Sequence, residues 1–313
     1  MTDDVSRNLR LAVATGAAFP ELLSVVIATA APTSVAEAVA VLSARASEID
    51  SLLADEGRAD ARKPAELEPA LRFEPELARV RPDLSDHEIR GRLLYGEMVG
   101  RWSFFQVAIW AIAGRELSRS DADYVEQLGI TTQLLDAQIW PMAVTRRLAA
   151  SGAPLARSLV GAVSTLFTSR ITVEPVAAFM RFLDRAAPHQ GGELDRFVDE
   201  LLARRETIPG VGRPVLGRDE RVAQKLVLAE RFGHRDGESL GLALAIERRL
   251  VEAKGLHLNA AGIQGALLRD LGFSPRQAAA ICAIYFLVPA LAQATFSAEA
   301  ASSTAREPSA SRG

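Results

Sequence analysis

The sequence has one cysteine, three lysines and few aromatic residues, which make up 6% of its 313 positions. The single cysteine, Cys282, excludes an internal disulfide and a metal site built from several cysteines. Cys282 lies in an apolar stretch, where we expect a small buried side chain. Since nearly every basic residue is arginine, a lone arginine is weak evidence of function in this chain.

A strong charge of either sign is also lacking. The net charge is -3 and both signs are interspersed, so nucleic acid is not an expected partner. The first residues, MTDDVSRN, lack the basic and apolar regions of a signal peptide, and we expect a cytoplasmic protein. With 49% hydrophobic residues the chain is able to bury a large core, in one big domain or two smaller ones.

Helix start and stop signals recur along the chain. Three serines are each followed three residues later by Glu or Gln, which is the capping-box arrangement; they are Ser34, Ser85 and Ser274. Three glycines that follow apolar periodic runs are expected to end helices in the left-handed conformation; they are Gly114, Gly233 and Gly272. Convincing alternating strands are absent, although residues 159–173 are rich in β-branched side chains. The pattern predicts an all-α fold.

Residues 277–296 form an apolar stretch that approaches the length of a membrane span. Pro289 interrupts this stretch, small residues are frequent in it, and its flanks show no asymmetry of basic residues. We therefore expect a buried helix and no membrane partner. The small, polar residues 297–313 show no periodicity, which predicts a disordered tail.

The stretch 208–221, IPGVGRPVLGRDER, combines closely spaced glycines with several arginines. Gly210 and Gly212 allow a backbone to approach a ligand closely. The arginines around Asp219 are suited to holding an anion; they are Arg213, Arg218 and Arg221. The alternative is a helix end followed by a proline-containing connector, with the arginines in ion pairs between helices.

Three segments, taken in chain order, resemble the citrate synthase family and its citryl-CoA lyases. Residues 102–104 (WSF) and 113–117 (AGREL) are similar to the start of the family's core. Residues 209–214 (PGVGRP), followed by DER at 219–221, are similar to PGFGHP followed by DPR. Residues 258–273, which begin LNAAG and end LLRDLGF, are similar to LNVDG leading into LLxDLGFPP. The resemblance covers roughly residues 85–296.

This resemblance implies a citrate synthase-like fold in which a large and a small helical domain enclose a cleft. The implied divisions are an N-terminal extension and linker at 1–80, a large domain at 81–172 and 269–296, a small domain at 173–268, and the tail at 297–313. The resemblance also implies a homodimer, or a heterodimer with a related chain.

The resemblance further implies that this chain lacks the family's catalytic residues. In the family, a carboxylate removes an α-proton from an acyl-CoA thioester, while two histidines stabilise the enolate and polarise the ketone acceptor. The matching positions hold Ala261 for the carboxylate, Arg213 for one histidine and a residue near Arg170 for the other. Phe286 takes the position of an arginine that grips the acceptor. We therefore expect no citrate synthase activity.

Other matching positions are retained and imply a site for a coenzyme A thioester. Gly210 and Gly212 match the glycines whose loop contacts the CoA adenine, and Arg221 and Arg147 match family arginines. The candidate binding residues are Gly210, Val211, Gly212, Arg218, Arg221, Arg147, Asn259, Ala261, Gln264 and Phe286. The weak catalytic candidates are Arg213, Asp219 and Tyr285. No metal or bound cofactor is expected, because neither His234 nor His257 has a second histidine or a cysteine at helical spacing.

Three functions remain open. The first, which we favour, is a repurposed acyl-CoA enzyme that forms or cleaves a carbon–carbon bond. Ala261 and Phe286 would suit a less anionic and more apolar partner than oxaloacetate. The second is a non-catalytic subunit that pairs with an active relative, and the third is a ligand-binding or structural protein that kept only the fold.

Overall fold

The computed structural model describes residues 77–81, 83–133, 139–168, 172–212 and 218–304. The chain divides into two compact units. The larger unit contains residues 73–132 and 171–285, and the smaller unit contains residues 1–72, 133–170 and 286–313. The predicted helix start at Ser34, the candidate Arg213 and the position near Arg170 lie outside the described residues.

A small antiparallel sheet opens the larger unit. Its strands are β1 (Ala78–Val80), β2 (His87–Ile89) and β3 (Arg92–Leu93), paired in the order β1, β2, β3. A π-helix, Leu94–Met98, follows β3 directly. These short elements lead directly into the first of the α-helices that follow.

The Asp86 side chain explains why this region is not the helix that Ser85 predicted. Its carboxylate accepts hydrogen bonds from the backbone amides of His87 at 2.6 Å, Tyr95 at 2.9 Å and Gly96 at 2.9 Å. Asp86 therefore holds the start of β2 against the π-helix, and the chain after Ser85 enters a strand. The predicted helix start at Ser85 is wrong.

The α-helices are numbered in chain order. They are α1 (Phe104–Ala113), α2 (Arg119–Ile130), α3 (Trp140–Ala150), α4 (Leu155–Thr168), α5 (Glu174–Ala186), α6 (Gly192–Ala203), α7 (Glu220–Arg231), α8 (Glu238–Lys254), α9 (Ala260–Asp270) and α10 (Pro275–Thr304). Helices α3 and α4 lie in the smaller unit, and α10 belongs to both units. This content confirms the all-α class.

Several helix ends follow the local sequence signals. At α10 the Ser274 amide donates to Gln277 Oε1 at 2.9 Å and the Gln277 amide donates to Ser274 Oγ at 3.3 Å, which confirms the predicted capping box. Ser103 begins α1 with the same arrangement, which the sequence analysis did not identify. Left-handed glycines follow α1, α7 and α9 as predicted; their φ values are 63° at Gly114, 78° at Gly233 and 78° at Gly272.

Helix α9 is buried along most of its length, and its glycines allow two close backbone approaches. A Cβ on Gly265 would lie 3.0 Å from the Val176 carbonyl oxygen of α5. A Cβ on Gly262 would lie 2.5 Å from the Gly210 carbonyl oxygen. Because backbone atoms have little freedom to move aside, Gly262 requires a residue without a side chain, and a Cβ at Gly265 would be tightly packed against α5. The first approach fixes α9 on α5, and the second fixes it beside residue 210.

Asp270, the last residue of α9, caps the start of α8. Its carboxylate accepts hydrogen bonds from the Ser239 amide at 2.7 Å and the Leu240 amide at 2.9 Å. The N-cap residue of α8 is Gly237, which has no side chain to offer. A Cβ on Gly237 would lie 2.0 Å from Asp270 Oδ2, so the glycine makes room for the carboxylate of another helix.

In the smaller unit, α3 and α4 pack closely. A Cβ on Gly161 of α4 would lie 2.6 Å from Leu148 Cδ1 of α3. Arg146 Nε donates to Ser297 Oγ at 3.3 Å, which joins α3 to the C-terminal part of α10. The β-branched stretch 159–173 is helical through Thr168, so the strand that its composition left open does not form there.

Helix α10 has the length and apolar composition of a membrane-spanning helix, which the buried core helix of a soluble protein also has. In the structure, 44% of its most apolar segment of 18 residues is buried. The helix passes through Pro289 and continues to Thr304. The prediction of a disordered tail is therefore wrong for residues 297–304, where alanines extend the helix; residues 305–313 lie outside the described part.

The two compact units do not follow the predicted large and small domains. The prediction assigns residues 173–268 to a domain of their own, whereas backbone contacts group them with residues 73–132. The division into a large and a small domain stays a prediction.

We expect Gly210→Ala to lower the free energy of unfolding by about 2–4 kcal/mol, because it adds overpacking to a strained backbone. Gly210 has a φ of +71°, and an added Cβ would lie 2.6 Å from Gly262 Cα and 2.8 Å from Phe179 Cδ2. Urea unfolding followed by circular dichroism measures the change.

Gly233→Ala is the matched control. Its φ is +78° and nothing lies within 4 Å of the added Cβ. It should cost only about 1 kcal/mol, from the left-handed backbone alone. Equal losses in the two variants would show that the close approach at Gly210 does not constrain the fold.

Candidate functional site

The glycine loop, residues 209–212, is paired with the segment that precedes α9. Val211 and Leu258 form an antiparallel bridge, and the Gly212 amide donates to the His257 carbonyl at 2.8 Å. In a bridge of this kind the amide and carbonyl of Val211 point away from Leu258. No described residue hydrogen-bonds to them. The glycine loop therefore presents one backbone donor and one backbone acceptor side by side on its outer edge.

Asn259 joins the glycine loop to the start of α9. Its backbone amide donates to the Gly210 carbonyl at 2.9 Å, and its side-chain nitrogen donates to the Gly212 carbonyl at 2.7 Å. Its side-chain oxygen accepts from the amides of Ala261 at 2.9 Å and Gly262 at 3.2 Å. One side chain thus caps the helix and fixes the loop.

Asp219 binds the starts of α7 and α9. Its carboxylate accepts from the Ala260 amide at 2.9 Å and forms a two-point pair with the Arg221 guanidinium, at 2.8 Å and 2.7 Å. Burial raises the pKa of the Asp219 carboxyl, but the hydrogen bonds from Arg221 and Ala260 outweigh burial and hold this pKa below its usual value. An ionised and fully engaged carboxylate is ill suited to carry a proton, so this geometry favours a structural role.

A second polar group lies beside the glycine loop. Arg218 Nε donates to His257 Nε2 at 3.4 Å, and His257 Nδ1 lies 3.2 Å from Glu247 Oε1. The same Glu247 oxygen accepts from the Leu258 amide at 3.2 Å. Arg218 is exposed, whereas the His257 and Glu247 side chains are half-buried. This chain of contacts was not predicted from the sequence.

The most deeply placed charged side chain of the described residues is Lys225 on α7, which is fully buried. Its Nζ lies 2.6 Å from Thr131 Oγ1, 3.0 Å from Thr132 Oγ1, 2.5 Å from Gln264 Oε1 and 3.1 Å from the Leu128 carbonyl. The two threonines are half-buried, whereas Lys225 itself is fully buried.

Burial lowers the pKa of Lys225 from 10.5 to about 7. Interactions with Cys282 and Asp219 raise this pKa, and the nearby Arg221 lowers it further. Lys225 was not predicted from the sequence as a functional residue. The only signal was its rarity, since it is one of three lysines in the chain and lies among apolar positions of α7.

Tyr285 and Cys282 belong to the core of the larger unit. The Tyr285 hydroxyl donates to the Val125 carbonyl at 2.8 Å, and a Cβ on Gly129 would lie 2.4 Å from the tyrosine ring. Burial raises the pKa of Tyr285 well above its usual value and the pKa of Cys282 to about 12. The expected buried thiol is confirmed, and the position of Tyr285 is that of a core tyrosine.

The structure brings together most of the candidates around the glycine loop and α9: Gly210, Val211, Gly212, Arg218, Asp219, Arg221, Asn259, Ala261 and Gln264. Arg147 is exposed on α3 and Phe286 is buried on α10, both within the smaller unit. Among the residues that the structure describes, no group of three His, Cys, Asp or Glu side chains is placed to hold a metal ion.

Comparison with protein families matches residues 141–306 to the C-terminal domain of citrate synthase. No curated protein sequence matches the chain. Among solved structures, a citryl-CoA lyase from Hydrogenobacter thermophilus is 19% identical, has a TM-score of 0.64, and is matched over 72% of this chain and 87% of its own.

Two ATP citrate lyases also share the fold. The enzyme from Methanosaeta concilii is 18% identical with a TM-score of 0.62, over 80% of this chain and 43% of its own. The enzyme from Methanothrix soehngenii is 18% identical with a TM-score of 0.57, over 83% of this chain and 47% of its own. This chain spans less than half the length of either. Because the family match covers more than half of the sequence and the fold agrees with it, the chain belongs to the citrate synthase family.

Proposed function

We propose that the chain binds an acyl-CoA thioester at the glycine loop and forms or cleaves a carbon–carbon bond in it, without ordinary citrate synthase activity. The observation that carries the binding step is the outer edge of the loop, where the Val211 amide and carbonyl have no partner among the described residues. An adenine presents a neighbouring donor and acceptor of matching kind. The bonds from Asn259 hold this edge rigid before a ligand arrives.

Two relatives support this choice of ligand class. The Methanosaeta concilii enzyme was solved in complex with citryl-CoA, and the Methanothrix soehngenii enzyme with citrate and coenzyme A. In this chain the exposed Arg218 lies beside the glycine loop, where its guanidinium is suited to a phosphate of the same ligand.

We propose that the reaction differs from that of citrate synthase. By the resemblance to the family, Ala261 in the first turn of α9 takes the position of the carboxylate that removes a proton, and Phe286 takes that of an acceptor-binding arginine. Asp219 and Tyr285 are engaged in structural hydrogen bonds. Arg213 remains the candidate to meet the thioester oxygen. These replacements favour an acceptor that is less anionic and more apolar than oxaloacetate.

The same replacements favour a second candidate function. A chain that retains the glycine loop but not the catalytic carboxylate is also suited to be a non-catalytic subunit, which binds an acyl-CoA and pairs with an active relative. In either case we propose a dimer, of like chains or with a related chain, that works in the cytoplasm.

We expect calorimetric titration with CoA, acetyl-CoA and longer acyl-CoAs to show binding that Gly212→Asp weakens at least about tenfold. The aspartate places a negative charge beside the ligand phosphates. Gly212→Asn is the matched control, because Asn and Asp both tolerate the left-handed conformation of residue 212 and differ only in charge.

Arg218→Ala should weaken the same binding, whereas Arg119→Ala should not. Arg119 is exposed on α2 and pairs with Asp123 at 2.8 Å, so its loss removes one surface arginine without touching the glycine loop. Absence of binding for every CoA compound would overturn the proposed function and favour a protein partner instead.

We also expect no turnover of acetyl-CoA with oxaloacetate. Loss of one preorganised polar group at such a site costs about 10²–10³ in rate, and this chain lacks several. Release of free CoA measures the activity, with an intact citrate synthase as the positive control. Ala261→Asp alone should not restore activity, because the positions of both histidines remain changed. Ordinary turnover by the unaltered protein would refute this expectation.

A further inference from the structure

Lys225 connects three helices, one of which is α9, the helix attached to the glycine loop. It lies on α7, and its Nζ contacts the Leu128 carbonyl, Thr131 and Thr132 at the end of α2 and Gln264 on α9. Gln264 lies about one turn along α9 from Ala260, which Asp219 holds from the start of α7. Helices α7 and α9 are therefore joined by two polar contacts, one between Asp219 and Ala260 and one between Lys225 and Gln264.

No carboxylate among the described residues pairs with Lys225. On its own helix, the nearest charges are those of Asp219 and Arg221, which neutralise each other as an ion pair. Helix α10 contributes the thiol of Cys282, which is uncharged at neutral pH because its pKa is about 12. The groups from α2 and α9 are uncharged. An ammonium without a counter-charge is costly to bury, so this environment favours the neutral amine.

The hydrogen bonds of Gln264 also favour the neutral amine of Lys225. When Lys225 is an ammonium it donates to Gln264 Oε1, and the buried Gln264 Nε2 then has no partner. A neutral amine has a lone pair, so a flipped Gln264 amide is able to donate Nε2–H to it. The amine then donates its two protons to Thr131 Oγ1 and Thr132 Oγ1, whose hydroxyls donate to the Leu128 carbonyl. An unsatisfied buried donor is thereby removed.

We propose that Lys225 is a positioning residue whose uncharged amine holds α2, α7 and α9 together, and whose protonation loosens α9 and the glycine loop attached to it. The loop then becomes less ordered as the pH falls. This inference concerns the loop itself; that ligand binding follows the same pH profile rests on the proposed function.

The direction of the effect follows from linkage. When Lys225 holds α2, α7 and α9 together (the intact state), its pKa is about 7, against 10.5 for an ordinary lysine. When these contacts are loosened, the pKa returns towards the ordinary value. Between these values the loosened state binds more protons, so the intact state gains stability as the pH rises from about 7 and loses it as the pH falls towards 7. Between pH 8 and pH 6 the ratio of loosened to intact molecules should rise about tenfold.

Hydrogen exchange of the Gly212 and Asn259 amides tests the proposal without any ligand. Both amides bond within the glycine loop pairing. After correction for intrinsic rates, their protection should fall about tenfold from pH 8 to pH 6 in the unaltered protein. Lys225→Met should remove this dependence, as should Lys225→Met combined with Gln264→Leu, which removes both hydrogen-bond partners at once. Lys254→Met, on the exposed end of α8, is the control that should keep it.

A direct titration covers the case in which neither Lys225 variant folds. The chain has three lysines, so a ¹³C-lysine sample gives three side-chain signals. We expect one of them to titrate near pH 7, and the Lys254→Met sample should retain it. A signal set in which all three titrate as ordinary lysines would overturn the proposal, as would an unchanged pH dependence of exchange in Lys225→Met. Failure of acyl-CoA to bind would affect only the proposed function.

Discussion

The candidate site depends on the hydrogen bonds of one side chain, that of Asn259. Its oxygen satisfies two amides in the first turn of α9, and its nitrogen holds the Gly212 carbonyl. A helix start needs an acceptor and the loop carbonyl needs a donor, and a primary amide supplies the two from separate atoms. An aspartate would cap the helix but leave the loop carbonyl without its donor. The position of the loop is therefore set by the same group that begins the helix.

The buried charged side chains near Asn259 and the start of α9 are of two kinds. Asp219 is fully compensated, because Arg221 neutralises its charge and its oxygens accept four hydrogen bonds, three from Arg221 and one from the Ala260 amide. Lys225 has no counter-charge and instead relies on uncharged acceptors. Compensated groups fix a structure over a wide range of pH, whereas an uncompensated group responds to protons. The chain places one of each kind within two turns of α7.

The sequence predicted those parts of the fold that local signals determine. The capping box at Ser274, the left-handed glycines and the all-α class all depend on interactions within a few residues. The sheet of residues 78–93 was missed because its strands have two or three residues and Asp86 organises them through amides nine and ten positions away. The family motifs located the glycine loop and α9. The roles of Asp219, His257 and Lys225 depend on contacts between distant segments, which periodicity and propensity do not encode.

Helix α9 is joined to a neighbouring helix at each end by a carboxylate. At its start, Asp219, the N-cap residue of α7, accepts from the Ala260 amide, and at its end its own Asp270 accepts from the first amides of α8. Since α8 has a glycine as its own N-cap, it lacks the side chain that would let its first turn persist alone. Helices α8 and α9 should consequently open and close as one cooperative unit of local unfolding. A disturbance at either end of α9 is then transmitted to the helix that carries Glu247, on the far side of the glycine loop pairing.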